Sequence, residues 1–168
     1  MINKNFELLY SLNECVSNTK SDLILFTTLF VKIKSYFNFE ICGIATNNSK
    51  GDKLGICLGI IEDLGNPLYE EFWYNTLNVN ELPFTLQLSN KEIVKFDISY
   101  FQLLKKRQNK QLEFDEFLKQ KNIKELFLIP MKSRDEMIGY LVFSFKNYQY
   151  QNDNEKILMS VANFCATV

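Results

Sequence analysis

The sequence predicts a single α+β domain in which helices cover a central sheet. Apolar residues recur at helical spacing near both ends of the chain, in residues 5–37 and 152–168. Between them lie short apolar runs bounded by turn-forming residues, a pattern typical of buried strands. The 168 residues include 46% hydrophobic residues and 15 Phe, which is enough to fill the core of one domain. We therefore expect one domain, with residues 1–20 as an N-terminal helix and residues 21–168 as the core.

The chain begins with two predicted helices. Apolar spacing predicts a short amphipathic helix over residues 5–17. Small and acidic capping residues follow in Thr19–Asp22, and an apolar stripe over residues 23–37 predicts a longer helix that ends near Asn38. That stripe must face a core.

A hairpin is predicted next. Glu40–Asn47 and Leu54–Ile61 are short apolar runs separated by the turn-rich segment NNSKGDK. Alternation places Ile41, Gly43 and Ala45 on one face of the first strand, which leaves that face nearly bare of side chains. Either a helix packs closely on it or a cavity lies over it, since a glycine within a strand marks a close approach by backbone or ligand.

The middle of the chain gives weaker signals. Asn66 followed by Pro67 has the form of a helix start and predicts a helix over residues 68–77. Glu92–Asp97 predicts a short strand, and residues 100–108 and 112–120 predict two helices.

The last part of the chain predicts a strand, a turn, a strand and a helix. Residues 126–132 and 137–145 are the strands of a central sheet covered on both faces, joined by the turn Ser133–Glu136. Asn152 caps a helix with Glu155 three positions on. Its apolar face continues to Val168, which favours burial by a partner or continuation in a longer chain.

Composition argues against several function classes. Lys and Arg number 19 against 20 acidic residues, so there is no excess of positive charge for nucleic acid or an anionic membrane. No segment approaches the roughly 20 apolar residues of a membrane span, and the first residues do not resemble a signal peptide. We expect a cytoplasmic protein.

The sequence offers little catalytic chemistry. It has no histidine, which removes the base of most nucleophile systems and the common ligand of metal sites. The four cysteines have no ligand-like spacing, and no phosphate-binding glycine loop is present. We expect buried structural thiols, no metal, no cofactor and no enzymatic activity.

The run from Asn122 to Val168 resembles the C-terminal half of a GAF domain, and residues 21–47 and 89–97 resemble the family's earlier helix and strands. The motifs that carry the resemblance are Ile129-Pro130-Met131, Glu136-Met137-Ile138-Gly139 and Asp153-Asn154-Glu155. The resemblance covers nearly the whole chain and is closest to GAF domains of bacterial signalling proteins.

This resemblance implies an antiparallel sheet of about six strands, with the first and last helices on one face and a loop-covered pocket for a small molecule on the other. Members of the family regulate a linked histidine kinase, transcriptional activator or cyclic-nucleotide enzyme. Bilin-binding GAF domains use histidine, so a chain without histidine does not look like a photoreceptor.

Three hypotheses follow. The first is a sensory domain that binds a small apolar or aromatic ligand in a cavity. The predicted lining residues are Gly43, Ala45, Phe96, Phe114, Phe117, Leu126, Leu128, Phe143 and Phe145. The second is a ligand-free dimerisation or relay module, a homodimer formed through helices 5–17 and 153–168. The third is a thiol-dependent enzyme similar to the GAF-type free methionine sulfoxide reductase.

Overall fold

The computed structural model describes residues 4–18, 22–47, 50, 53–61, 69–78, 93–97, 116, 119–134, 136–145 and 152–167. In these ranges the chain forms helices and strands in the order α1 (Lys4–Asn18), α2 (Asp22–Tyr36), β1 (Phe39–Asn47), β2 (Lys53–Ile61), β3 (Tyr69–Asn78), β4 (Val94–Asp97), β5 (Glu125–Ser133), β6 (Glu136–Phe145) and α3 (Asn152–Cys165).

The strands form one sheet of six, in the order β3-β2-β1-β6-β5-β4. The pairings between them are antiparallel. The first long hairpin, β1–β2, and the second, β5–β6, meet where β1 pairs with β6, so strands distant in sequence occupy the centre. The predicted antiparallel sheet is confirmed.

One predicted helix is wrong. Residues 69–78 form strand β3, which pairs with β2 from Lys53↔Asn78 to Ile61↔Tyr69. The segment YEEFWYNT is rich in aromatic residues that favour strands, and ladder pairing outweighs the helix-start signal of Asn66 and Pro67. The predicted helix over residues 100–108 lies outside the described residues. Within the helix predicted over residues 112–120, Glu116, Lys119 and Gln120 are helical.

Helices α1, α2 and α3 lie on one face of the sheet. Their buried side chains and those of the facing strands form a single cluster, called here the helix-packed core. It contains Leu8, Leu12, Leu29, Phe30, Ile33, Leu158, Val161 and Ala162 from the helices and Phe39, Cys42, Phe127, Ile129, Met131, Leu141 and Phe143 from the strands. The expectation that the first and last helices share one face is confirmed.

Aromatic rings fill the centre of this core. The Phe143 ring lies 5.0 Å from Phe39 and meets Phe30 edge-on at 6.0 Å between centroids. Phe145 lies 5.5 Å from Phe143 and 5.2 Å from Phe127. Edge-on and tilted pairs of this kind add stability beyond the area they bury.

The β1 and β6 backbones come unusually close at Gly139. This residue pairs with Thr46 in the β1–β6 ladder. A Cβ atom placed on it would overlap the carbonyl oxygen of Ala45 and lie 2.9 Å from the Cα of Thr46. Backbone atoms in the middle of a sheet cannot move aside as a flexible side chain can, so only glycine fits.

Gly139→Ala is expected to lower the free energy of unfolding by at least about 2 kcal/mol, because the methyl group forces the central strands apart. Urea denaturation followed by circular dichroism measures this change.

The matched control is Thr46→Ala, which alters the exposed side chain of the paired residue. It is expected to change stability by less than about 1 kcal/mol. Equal stabilities for Gly139→Ala and the unmodified chain would contradict the close approach.

Candidate functional site

The sheet has a second buried face, on the side away from the helices. Its central contacts follow from the ladders, in which Gly43 pairs with Val142 and Leu128 pairs with the same Val142. This surface is called here the second face. Its described members are Ile41, Gly43 and Ala45 in β1, Val94 in β4, Leu126, Leu128 and Pro130 in β5, and Tyr140, Val142 and Ser144 in β6.

The second face is separate from the helix-packed core. Its members are buried, with Ile41, Ala45 and Leu126 at 0% exposure, yet none of them belongs to the cluster that contains the helices. Alternation along each strand produces this separation, because successive side chains point to opposite faces. The described helices therefore do not provide the close packing over the glycine that the sequence left as one explanation.

The centre of the second face carries little side-chain bulk. Gly43 has no side chain and Ala45 has one methyl group, while larger apolar groups surround them on β5 and β6. A strand position without a side chain allows the close approach of a ligand or of another segment of backbone.

The structure divides the predicted lining residues between the two faces. Gly43, Ala45, Leu126 and Leu128 lie together on the second face, and Phe96 is paired through its backbone with Leu126. Phe114 and Phe117 lie outside the described residues.

Phe143 and Phe145 lie on the opposite face and require a correction. Phe143 pairs with Cys42, and both side chains are wholly buried in the helix-packed core. Phe145 packs against the same core beside Phe127. Directly paired residues of a ladder point to the same face, and Gly43 pairs with Val142, so the Phe143 and Phe145 rings lie on the side of the helices and not beside Gly43.

The sequence reasoning missed two polar groups on the second face. Tyr140 is 7% exposed, and burial raises the pKa of its hydroxyl above the usual value of 10.0. Ser144 is 3% exposed, and its hydroxyl accepts a hydrogen bond of 3.1 Å from the Ile41 N–H. Both follow from the register, since Tyr140, Val142 and Ser144 alternate with Leu141 and Phe143.

This composition determines what the second face can bind. At one end of the second face Glu40, whose Oε2 atom is buried, lines a cavity of about 310 Å³ together with Ser144. Around Gly43, Ala45 and Val142 the described side chains carry no charge, and the Tyr140 hydroxyl stays neutral near pH 7. A charged ligand would lose its hydration there without gaining a counter-ion, which is strongly unfavourable. The surface suits an uncharged, mostly apolar molecule held by a few hydrogen bonds.

Among the described residues no three His, Cys, Asp or Glu side chains are grouped so that they could hold a metal ion. None of the described helices combines the length and the apolar character needed to cross a membrane.

Comparison with solved structures identifies the fold. A GAF domain from an Acinetobacter phosphoenolpyruvate-protein phosphotransferase superposes with a TM-score of 0.65 at 14% identity, covering 99% of this chain and 93% of that one. The A. aeolicus nlh2 GAF domain in an inactive state gives 0.62 at 12% identity, over 98% and 94% of the two chains. The chain has the GAF fold.

A GAF domain with a bound ligand is also similar. The phycocyanobilin-bound GAF domain of a cyanobacterial phytochrome has a TM-score of 0.59 at 12% identity, covering 99% of this chain and 96% of the other. No family model matches the sequence. A search of curated proteins likewise gives no significant match. The likeness is therefore one of GAF architecture, and the expected fold class is confirmed.

Two of the cysteines in this GAF fold have described side chains, and both are buried. Cys42 is wholly inside the helix-packed core, and burial raises the pKa of the Cys165 thiol to about 12. The thiolate is the reactive form of cysteine, so neither environment favours thiol chemistry near neutral pH. The side chains of Cys15 and Cys57 lie outside the described part of the chain.

Cys165 is expected to make the GAF fold less stable at alkaline pH. Burial raises the pKa of this thiol to about 12 in the folded chain, from the 9.0 of a solvent-exposed thiol. The unfolded chain therefore releases this proton first as pH rises. The contribution of the protonated Cys165 thiol to the free energy of unfolding is complete below pH 9.0. It is lost as pH rises towards 12, by about 1.4 kcal/mol per pH unit.

The difference in free energy of unfolding between the unmodified chain and Cys165→Ala isolates the effect of this thiol, because the other titrating groups are common to both chains. Urea denaturation between pH 7 and pH 11 should show the difference shrinking above pH 9. A difference that does not vary with pH would contradict the burial of this thiol.

Proposed function

We propose that this chain is a non-catalytic sensory domain that holds a small, uncharged, largely apolar molecule against the second face. The signal then passes through its terminal helices to a linked or partner signalling protein. The observation that carries the proposal is the second face itself, a buried apolar surface with a bare centre on the side of the sheet away from the helices.

Chemistry at this surface favours binding over catalysis. The polar groups beside the apolar centre of the second face are the hydroxyls of Tyr140 and Ser144, and no described Lys, Arg or Cys side chain accompanies them there. The buried thiols Cys42 and Cys165 belong to the opposite side of the sheet. The thiol-dependent enzyme is therefore the less supported hypothesis.

Strand β6 contributes side chains both to the second face and to the helix-packed core. In β6, Val142 faces the second face while Leu141 and Phe143 on either side of it belong to the helix-packed core. Because interiors are packed as densely as organic crystals, a strand displaced on one side must be accommodated on the other. The phycocyanobilin-bound GAF domain supports a ligand role for this architecture.

Native mass spectrometry of the purified chain is expected to show an added mass from a co-purified small molecule. Ala45→Leu fills the bare centre of the second face and should abolish the added mass. Ile44→Leu introduces the same side chain at a neighbouring position on the helix side of the strand without adding volume, and should retain it.

A thermal-shift screen of uncharged apolar metabolites provides the second measurement. A ligand at 100 times its dissociation constant stabilises the fold by about 2.7 kcal/mol, which raises the melting temperature by roughly 5–10 °C. If neither an added mass nor a shift reversed by Ala45→Leu is found, the ligand-binding proposal fails.

The second candidate is a ligand-free homodimer formed through the terminal helices. One observation favours it: Tyr10 is 60% exposed on α1, on the side opposite to the buried Leu8 and Leu12. A large exposed aromatic side chain on a terminal helix is suited to an intersubunit contact.

If α1 forms that contact, Tyr10→Lys should increase the dimer dissociation constant at least tenfold in sedimentation equilibrium. Ser35→Lys adds the same charge at an exposed position of α2 and should leave the constant unchanged. A chain that stays monomeric at millimolar concentration would exclude the dimer.

A further inference from the structure

The pairing of β5 with β6 is irregular beside the helix α3. Met131 pairs with Gly139, but the next residue, Lys132, pairs with Met137, so Ile138 is an extra residue in β6. This is a β-bulge, which interrupts the alternation of side chains along the strand. Ile138 accordingly packs against the helix-packed core, although plain alternation from Tyr140 and Val142 would place it on the second face.

The bulge is joined to β1 at the edge of the second face. Gly139 lies so close to the carbonyl group of Ala45 that no side chain fits between them. The side-chain amide of Asn47 donates a 3.2 Å hydrogen bond to the carbonyl of Met137 on the other side of the extra residue. The backbone of β1 at Ala45 is therefore in direct contact with the bulge.

The bulge is also joined to α3. The backbone N–H of Lys132 donates a 3.2 Å hydrogen bond to Oδ1 of Asn163. Asn163 follows the buried Ala162, by which α3 packs on the sheet, and asparagine is a poor residue for a helix interior. An open cavity of about 890 Å³ lies beside this bond and is lined in part by Arg134, Ile138 and Thr167.

We propose that the β5–β6 bulge and Asn163 form the mechanical link from the second face to α3, with Asn163 as a positioning residue. The proposal rests on the sensory function proposed above and names the route of its relay. A displacement of Ala45 moves Gly139, the bulge carries the movement to the Lys132 N–H, and Asn163 transmits it to the last turns of α3.

The first test measures the link itself by amide hydrogen exchange in the full chain, resolved by NMR. Asn163→Ala removes the acceptor and should speed exchange of the Lys132 amide about fivefold, the effect of one ordinary hydrogen bond. Asn163→Asp keeps an acceptor oxygen and should preserve protection. Ser160→Ala is the control, because its hydroxyl bonds within α3 to the Lys156 carbonyl.

The second test measures transmission, with Ala45→Val as a perturbation of the second face that needs no identified ligand. It should shift the backbone amide resonances of residues 158–167. The shifts should be at least twofold smaller in the Asn163→Ala background and unchanged in the Asn163→Asp and Ser160→Ala backgrounds.

If Ala45→Val does not fold, Val142→Ala perturbs the same face by removing two methyl groups. Shifts in α3 that persist at full size without Asn163, or no shifts from either perturbation, would overturn the proposed link. The sensory function is judged separately by the co-purified mass. A ligand found without coupling through Asn163 refutes the route alone, whereas coupling without any ligand refutes the sensory function alone.

Discussion

The pairing of β1 with β6 is the contact on which the rest of the structure depends, because it is buried on both sides. Cys42 and Phe143 face the helices, while their neighbours Gly43 and Val142 face away from them. A one-residue slip would exchange the two sets and place the Phe143 ring over the bare centre of the second face. Two-sided packing therefore fixes the register, and the register fixes both the helix-packed core and the candidate site.

Small residues let the two hairpins approach each other at this centre. The Cα of Gly139 lies against the carbonyl of Ala45, and Ala45 and Gly43 keep the second face low in bulk. On the other side, large aromatic rings around Phe143 fill the space beneath α2. The sheet is thus asymmetric, with a dense aromatic side that holds the helices and a lighter side suited to a ligand.

The sequence predicts those parts of the fold in which local signals agree. The β5–β6 hairpin and α3 are marked by a turn, by apolar runs and by the cap at Asn152. The structure places both strands within one residue of expectation and begins α3 at Asn152, although the helix ends at Cys165 and not at Val168. Strand β3 was missed because Asn66 and Pro67 give a helix signal and the pairing with β2 is not visible locally.

The candidate site was predicted in part, for a physical reason. Successive side chains in every strand point to opposite faces. Here both faces are apolar, so the sequence pattern does not show whether Gly43 and Ala45 share a face with the even-numbered or with the odd-numbered residues of β6. Only the pairing of Gly43 with Val142 decides it, and it places Phe143 and Phe145 with the helices. Gly43 and Ala45 were found because a bare strand face is a local feature of the sequence.

The same register decides which helix is best placed to respond to the second face. Helix α1 packs chiefly on α2, so a movement of the sheet reaches it through another helix. Helix α3 packs directly on β5 through Leu158, Val161 and Ala162 and accepts a hydrogen bond from the β5 backbone at Lys132. The hydrogen bond adds a directional contact to this packing, because an N–H···O bond weakens steeply when it is bent. The position of the last turns of α3 is thus tied to the β5 backbone at one atom pair, and this is the contact through which the proposed link acts.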